Sequence, residues 1–336
     1  MRRKMLATVA AIGFSVFFLS GAAHADTLTI NVGGLDKQIY LPAKLAEVLG
    51  YYKDEGLDVE LDSEAAGVEG ADALIAGEAQ GVVGFYDHTI DLASKGKHAE
   101  SIVQFSRAPG EVELIATRYA DGLHDFSDLK GKSLGVTGLG SSTNFLTQYM
   151  AARAGLQPGD VTSVAVGAGG TFIAALKQDA IQGGMTTEPT VSRLLNTGAA
   201  KVFIDMRTVE GTRAALGGTY PAACLYMSTD YVAKHPDVTL KLARAYVRTL
   251  KFIATHTGAE ITDKMPADYY AGDKAAYIKA LDAGKGMFTA DGMMPEDGPP
   301  TVLKVLSTFS PALKGKAIDV TQTYTTEFVK KVAATP

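Results

Sequence analysis

The segment from Gly138 to Phe145 combines the residue types of an anion-binding turn. It lies between a predicted strand and a predicted helix, and its two glycines allow the backbone to approach a ligand closely. Ser141, Ser142 or Thr143 can cap the helix, which leaves backbone N–H groups facing outward at its N-terminus. The segment therefore predicts that Ser141, Ser142 and Thr143 hold an acid group. A capped helix without any ligand has the same pattern.

Two loops in the first half of the chain carry aromatic and hydrogen-bonding side chains. Residues 35–40 follow the first predicted strand, and residues 84–89 follow a strongly apolar strand. Ligands of doubly wound sheets bind at the carboxyl ends of the strands, so both loops are expected in a cleft. The candidates are Lys37 and His88 as partners of an anion, Gln38 and Tyr40 as orienting groups, and Phe85 and Tyr86 as stacking rings. A surface charge, a helix cap or a core ring is the structural alternative for each.

The second half of the chain adds candidates at another strand end. Thr187 and Glu188 precede a helix that begins at Pro189. The Glu188 carboxylate either stabilises the N-terminus of that helix or receives an ammonium or hydroxyl group of a ligand. Arg107 and Tyr220 lie near the two points where the chain is expected to cross between halves, and they are further cleft candidates.

The sequence does not favour catalysis or a bound cofactor. Glu188 with Asp36 or Asp87 is the residue set of a glycoside hydrolase, but the sequence cannot supply the separation of the carboxylates that this mechanism requires. A hydrolase that uses Ser141 lacks the Gly-x-Ser-x-Gly elbow. The histidines lack metal-ligand spacing, and the glycine-rich turns match neither the P-loop nor the dinucleotide fingerprint. We therefore predict no metal, no cofactor and no enzymatic activity.

Short β-branched runs alternate with helical patterns, which is typical of βα units. Two series of similar order occur, followed by mostly helical sequence, and 336 residues exceed what one hydrophobic core usually supports. The pattern predicts two doubly wound α/β lobes joined by two crossings. We expect residues 26–110 and 228–336 to form lobe I, with the C-terminal helices, and residues 111–227 to form lobe II. Two consecutive domains are the alternative.

The charge balance argues against nucleic acid as a partner. The chain has 32 Lys and Arg against 37 Asp and Glu, a net charge of −5. Nucleic-acid binders instead carry basic patches. Its one cysteine, Cys224, has no partner for an intramolecular disulfide. Because Cys224 lies in an apolar run, it is expected in a core strand.

Residues 1–25 have the pattern of a secretory signal peptide. Arg2, Arg3 and Lys4 precede an apolar run, and Ala23-His24-Ala25 has the small-x-small form of a cleavage site. A retained anchor is less favoured because the apolar run is shorter than the ~20 residues that span a bilayer. We therefore expect a cleaved leader and a periplasmic protein, by either the Sec or the twin-arginine route.

Several segments together resemble the periplasmic substrate-binding proteins of ABC importers, in the nitrate, sulfonate and taurine group with its NMT1-like thiamine-precursor members. The segments that carry the resemblance are residues 45–59, 73–84, 128–135, 138–143, 154–156 and 180–189. The resemblance covers about residues 28–236 and implies a type II periplasmic binding protein fold with a two-crossing hinge and a solute held between two lobes. It also implies delivery of the solute to a membrane permease.

The resemblance leaves the solute open. Its members take sulfonates, taurine, nitrate, bicarbonate, aromatic carboxylates or pyrimidine precursors. The aromatic candidates Tyr40, Phe85 and Tyr86 favour a small organic anion, a sulfonate or carboxylate, over a bare inorganic ion. A thiamine-precursor pyrimidine that uses aromatic stacking and Glu188 is the alternative within the class, and a periplasmic hydrolase is the alternative outside it. A monomer is expected because the hinge must open and close.

Overall fold

The structure is a computed structural model that describes residues 27–270 and 272–334. The predicted signal peptide, residues 1–25, lies outside the described residues. The order of strands and helices in the described part agrees with the βα alternation that the sequence predicts.

The described chain contains ten strands in two sheets. The strands are β1 (Leu28–Val32), β2 (Val59–Ser63), β3 (Gly81–Phe85), β4 (Ala99–Gln104), β5 (Glu111–Ala116), β6 (Ser133–Val136), β7 (Thr162–Ala165), β8 (Gly183–Thr187), β9 (Ala200–Met206) and β10 (Ala223–Ser228).

The α-helices of the described residues cover the sheets and form most of the C-terminal third. They are α1 (Leu41–Val48), α2 (Tyr51–Asp54), α3 (Gly67–Ala76), α4 (Asp87–Ser94), α5 (Ser142–Arg153), α6 (Gly170–Lys177), α7 (Thr190–Asn196), α8 (Val209–Leu216), α9 (Thr229–Lys234), α10 (Pro236–Thr255), α11 (Gly258–Thr262), α12 (Lys274–Gly284), α13 (Gly298–Phe309) and α14 (Glu327–Ala334). Short 3-10 helices occur at Gln38–Tyr40, Thr117–Tyr119, Phe126–Leu129, Ala267–Tyr270, Lys285–Met287 and Val320–Gln322.

The two sheets have the same construction. The first has the order β2-β1-β3-β10-β4 and the second the order β7-β6-β8-β5-β9. In each sheet the first three strands are parallel, and the fourth runs antiparallel to both of its neighbours. The sheets are thus mixed, but four strands of each run in the same direction, because the fifth strand is antiparallel to the fourth.

The antiparallel strand of each sheet is the first strand that the chain forms after it crosses between the lobes. β5 follows the crossing from β4, and β10 follows the return from α8. Because β10 pairs with β3 and β4, the chain has returned to the first sheet by Ala223. The predicted boundary between residues 227 and 228 is therefore one strand too late, since an apolar run indicates a strand but not the sheet to which it belongs.

The core follows the apolar positions of the strands and helices. On α10, Leu242, Tyr246, Leu250 and Ile253 recur at helical spacing and are buried, and the helix packs on α1, α2 and α14. Cys224 is fully buried in β10, as the sequence predicts. Among the described residues, no helix is both long enough and apolar enough to cross a membrane.

Helix α13 connects the two lobes on one side. It packs on α4 of the first lobe and on α5 of the second. The rings of Phe309 on α13 and Phe145 on α5 lie 5.9 Å apart, and the Phe145 ring also lies 5.8 Å from that of His88 on α4. These contacts hold the lobes together at one edge of the cleft between the sheets.

Candidate ligand-binding cleft

A small enclosed cavity lies between the lobes, where strand ends of both sheets meet. Seven residues predicted from the sequence line it, namely Lys37, Tyr40, Phe85, Ser141, Ser142, Thr143 and Thr187. Ile39, Gly67, Glu111 and Thr137 complete the lining. The space open to the centre of a water-sized sphere is about 10 Å³, close to the volume that one water molecule requires. The lobes are therefore closed in this structure, and side chains of the lining must move to make room for an organic solute.

Lys37 supplies an ammonium group to the cavity. Its side chain is 6% exposed, and its Nζ donates to the carbonyl oxygens of Gly33 and Ala65. Burial lowers the pKa of Lys37 to about 8, although the nearby Asp36, Glu111 and Glu69 carboxylates act in the opposite direction. An ammonium has three N–H donors, so one remains for a solute.

Three hydroxyl groups of the second lobe lie in mutual contact beside the cavity. The Oγ1 of Thr137 lies 3.1 Å from Ser141 Oγ and 2.9 Å from Thr143 Oγ1, and the last two lie 2.8 Å apart. Ser141 is the N-cap residue of α5, but its hydroxyl donates to the Gly138 carbonyl at 2.6 Å and does not cap the helix. Ser141 and Thr143 are among the residues predicted from the sequence and Thr137 is not, and these hydroxyls must reorient to hold an acid group.

Two helix N-termini converge on the cavity, one from each lobe. Gly67 begins α3, Ser142 begins α5, and both residues line the cavity. Unpaired N–H groups and the helix dipole make such termini favourable for negative charge. A carboxylate already lies near each of them, because Glu69 accepts the N–H of Ala66 and Asp87 accepts the hydroxyl of Ser142.

Asp87 on α4 forms a hydrogen bond across the cleft. Its Oδ1 accepts from Ser142 Oγ at 2.8 Å, and its Oδ2 accepts from the Tyr220 hydroxyl at 2.8 Å. Burial raises the pKa of Asp87, while His88 and these two hydroxyl donors oppose the rise. Tyr220, a predicted ligand residue, therefore binds a carboxylate of the protein in this closed form.

The lobes also approach closely at Gly138. A Cβ atom added to Gly138 would lie 2.9 Å from the Cβ of Ala66 in the other lobe, so glycine is needed there for this degree of closure. Within the first lobe, a Cβ added to Gly67 would lie 2.8 Å from His88 Nε2, which is buried without a hydrogen-bond partner.

Glu111 is the one ionisable side chain among the four lining residues that the sequence did not predict. It is 2% exposed, and its Oε2 has no hydrogen-bond partner. Burial raises its pKa well above the usual range, the Asp87 and Glu113 carboxylates act in the same direction, and Lys37 opposes them. Glu111 begins β5 and pairs with Thr187 of β8, whose Oγ1 is also unpartnered.

The sequence around Glu111 contains only a weak signal of its position in the cavity. The alternation of Glu and apolar residues in β5 indicates a strand with its glutamates in solvent, but β5 lies between β8 and β9 and all six of its residues are buried. The available signal is position, because Glu111 follows the first crossing directly, where a side chain must lie between the lobes.

The remaining predicted residues have other contacts. The Gln38 side chain donates to the Tyr277 carbonyl at 3.0 Å. The backbone N–H of Gln38 donates to the Glu188 carbonyl of the other lobe at 3.1 Å. The Glu188 side chain accepts from the N–H of Ser192 at 2.9 Å and forms a 3.0 Å salt bridge with Arg207. The Glu188 carboxylate therefore stabilises the N-terminus of α7, which is the structural alternative that the sequence left open.

Tyr86 and Arg107 lie away from the cavity lining. The Tyr86 hydroxyl pairs with Thr323, and its ring is fully buried in the first lobe. Arg107 is exposed, and its guanidinium reaches the Gly286 carbonyl at 3.5 Å. The aromatic wall is instead formed by Tyr40 and Phe85, whose rings meet edge to face at 5.9 Å.

Two larger depressions lie outside the cleft, with volumes of about 580 and 680 Å³. Neither is lined by a residue predicted from the sequence. Within the described ranges, no group of His, Cys, Asp and Glu side chains is placed to hold a metal ion. Two buried oxygen atoms without a hydrogen-bond partner, Glu111 Oε2 and Thr187 Oγ1, belong to residues that line the cavity between the lobes.

Comparison with known proteins identifies the class to which the fold belongs. The fold is that of the periplasmic binding proteins. The structure aligns with the periplasmic nitrate-binding protein NrtA from Synechocystis PCC 6803 with a TM-score of 0.71 and 14% identity, over 92% of this chain and 89% of that one. It aligns with a protein of Bordetella bronchiseptica RB50 with a TM-score of 0.87 and 35% identity, over 91% of this chain and 96% of the other.

The model of the NMT1/THI5-like family matches residues 40–259, so the chain belongs to this family. A relative from Schizosaccharomyces pombe, 4-amino-5-hydroxymethyl-2-methylpyrimidine phosphate synthase, is 27% identical over 213 residues. That match spans 61% of this chain and 59% of the length of the enzyme.

Proposed function

We propose that this protein is the solute-binding component of an ABC importer and that it captures a small organic anion between its lobes. The observation that carries the proposal is the position of Lys37. Its buried ammonium lies in the interlobe cavity with the hydroxyls of Ser141 and Thr143 and the N-termini of α3 and α5. All of these groups favour an acid group on a solute.

The magnitudes require more than this set of polar groups. A helix N-terminus contributes about 0.3–1 kcal/mol, up to ~2 when partly buried, whereas micromolar affinity requires ~8 kcal/mol. Burial of apolar solute surface, at ~25 cal/mol per Å², supplies part of the difference. The edge-to-face rings of Tyr40 and Phe85 provide the apolar wall for it. A carboxylate or sulfonate with a carbon skeleton therefore fits better than an inorganic ion.

The same proposal includes a periplasmic location, a monomeric state and a membrane permease as partner. It is supported by the family to which the chain belongs and by the periplasmic-binding-protein fold. The two crossings between the sheets form a hinge about which the lobes can separate. The solute then selects the closed form through contacts that only this form offers.

The proposal is tested by calorimetry of the mature chain against sulfonates, carboxylates, nitrate and pyrimidines. We expect at least one organic acid to bind with micromolar or tighter affinity and to be recovered chemically unchanged. Lys37→Met should weaken this binding at least tenfold, while Lys44→Met, which removes an ammonium that pairs with Glu47 on α1, should leave it unchanged. Turnover of the solute, or equal affinity in Lys37→Met, would contradict the proposal.

A second candidate is the binding of a thiamine-precursor pyrimidine. It is supported by the curated relative, whose name gives a pyrimidine product, and by the Tyr40 and Phe85 rings, which offer aromatic contact. In the same calorimetric panel, binding of a pyrimidine with no response to organic acids would favour this candidate.

A further inference from the structure

Glu111 and Lys37 are an acidic and a basic group that line the same cavity without pairing. Lys37 Nζ donates to two backbone carbonyls, and among the described residues no salt bridge includes Glu111. A buried charge without a partner is unfavourable, so each group gains if a solute supplies its counter-charge. The acid group that is proposed to bind Lys37 supplies a counter-charge to only one of these two groups.

The surroundings of Glu111 determine what its partner must be. Its Oε2 is a buried acceptor without a donor. The groups that face it are Lys37, Asp87 with its neighbour His88 on α4, Glu113 on β5, and the hydroxyls of Tyr40 and Tyr220. Two of these are carboxyls, which favour a proton on Glu111 while no cation is near.

We propose that Glu111 determines specificity for a solute that carries a cationic or N–H-bearing nitrogen in addition to its acid group, and that Glu111 releases a proton when this nitrogen binds. The inference rests on the proposed function, since it assigns the second end of the same solute. The nitrogen donates to Glu111 at the start of β5, and the acid group faces Lys37 and α5. The proton passes to the buffer.

The experiment uses matched probes that differ only in the nitrogen. The amino members are 2-aminoethanesulfonate and 3-aminopropanoate, the deaminated members are ethanesulfonate and propanoate, and ethylamine lacks the acid group. We expect the amino members to bind about ten- to a hundredfold more tightly than their partners, as a hydrogen bond to a charged group implies. Calorimetry at pH 6.5, where Lys37 is already charged, in two buffers of different ionisation heat should show proton release for the amino members only.

The decisive variant is Glu111→Gln, with Glu113→Gln as its matched control. Both residues lie on the same face of β5 and are buried, but Glu113 contacts Thr147 and does not line the cavity. Glu111→Gln should abolish both the preference for the amino members and the release of a proton. Glu113→Gln should retain both, and thermal unfolding of each variant establishes that it is folded.

The outcomes separate this inference from the proposed function. Equal affinity for amino and deaminated acids overturns the role of Glu111 and leaves the acid-binding cleft intact. Binding of ethylamine alone overturns the acid site and retains the role of Glu111. If no probe binds, or if Glu111→Gln keeps the preference, the inference fails.

Discussion

The carboxylate of Asp87 and the hydroxyl of Ser142 form a hydrogen bond of 2.8 Å that joins the two lobes at the N-terminus of α5. Asp87 belongs to α4 of the first lobe, and Ser142 is the first residue of α5 in the second. A protein carboxylate thus lies where the sequence predicts the acid group of a solute. The bond stabilises closure in the absence of a solute, and a bound acid group would compete for Ser142.

Asp87→Ala should therefore favour the open form. The substitution removes the hydrogen bonds to Ser142 and Tyr220, each worth about 0.5–1.5 kcal/mol. We expect a larger radius of gyration for the solute-free protein in X-ray scattering. Asp91→Ala is the control, since Asp91 lies on the same helix but pairs with Lys95 at the surface. An unchanged scattering profile for Asp87→Ala would show that the bond does not control closure.

Gly138→Ala should prevent full closure for a steric reason. The new Cβ would lie 2.9 Å from the Cβ of Ala66, a separation that real Cβ atoms essentially never show. The lobes must then remain further apart, so the affinity for any solute held between them should fall by about tenfold or more. Calorimetry measures this effect, with Leu139→Ala as the control because Leu139 is 60% exposed. Affinity equal to that of the unsubstituted chain would mean that the bound form is not closed at this point.

Local patterns were sufficient to predict most of the strands and helices. The first predicted strand is observed at Leu28–Val32, and the helix predicted after the glycine-rich turn is observed at Ser142–Arg153. Helix α8 is not evident from the sequence because polar and small residues, with Gly211 near its start, make up most of it. The sheet of β10 could not be predicted, since strand pairing depends on residues far away in the chain.

The residues of the interlobe cavity could also be predicted only in part, because some of them are brought there by distant parts of the chain. Strand-end loops were identified from the βα pattern, so Lys37, Ser141 and Thr187 were found. Glu111 was missed because alternating glutamates usually indicate a solvent-exposed face. Its burial arises only when β8, β9 and the first lobe surround β5.

The affinity for an acid solute should fall as the pH rises through about 8. Burial lowers the pKa of Lys37 to about 8, so its ammonium is charged below that pH and neutral above it. A bound anion favours the charged form and moves the midpoint upward. Calorimetry with ethanesulfonate at pH 6.5 and pH 9.5 should show tighter binding at the lower pH. In Lys37→Met the two affinities should be alike, and an equally strong pH dependence in that variant would assign the effect to another group.

Glu113 should make the fold less stable as the pH rises. Burial raises its pKa from 4.5 to about 8, with the Thr147 hydrogen bond in opposition. The folded state therefore holds a proton that the unfolded state loses, and this stabilisation is complete below about pH 4.5 and is lost as the pH rises through about 8.

Glu113→Gln replaces this carboxyl with a side chain that is neutral at every pH. The decrease in unfolding free energy between pH 5.5 and pH 8.5 should become smaller in the variant, by on the order of a few kcal/mol. Asp87 and Glu111 are present in both proteins, so the difference reports mainly on Glu113, with a smaller part from its electrostatic effect on Glu111. Denaturant unfolding at the two pH values measures it, and Glu60→Gln on the exposed face of β2 is the control. The same pH dependence in Glu113→Gln as in the unsubstituted chain would mean that Glu113 is already ionised in the folded protein at pH 5.5, with the Thr147 hydroxyl as a donor to its carboxylate.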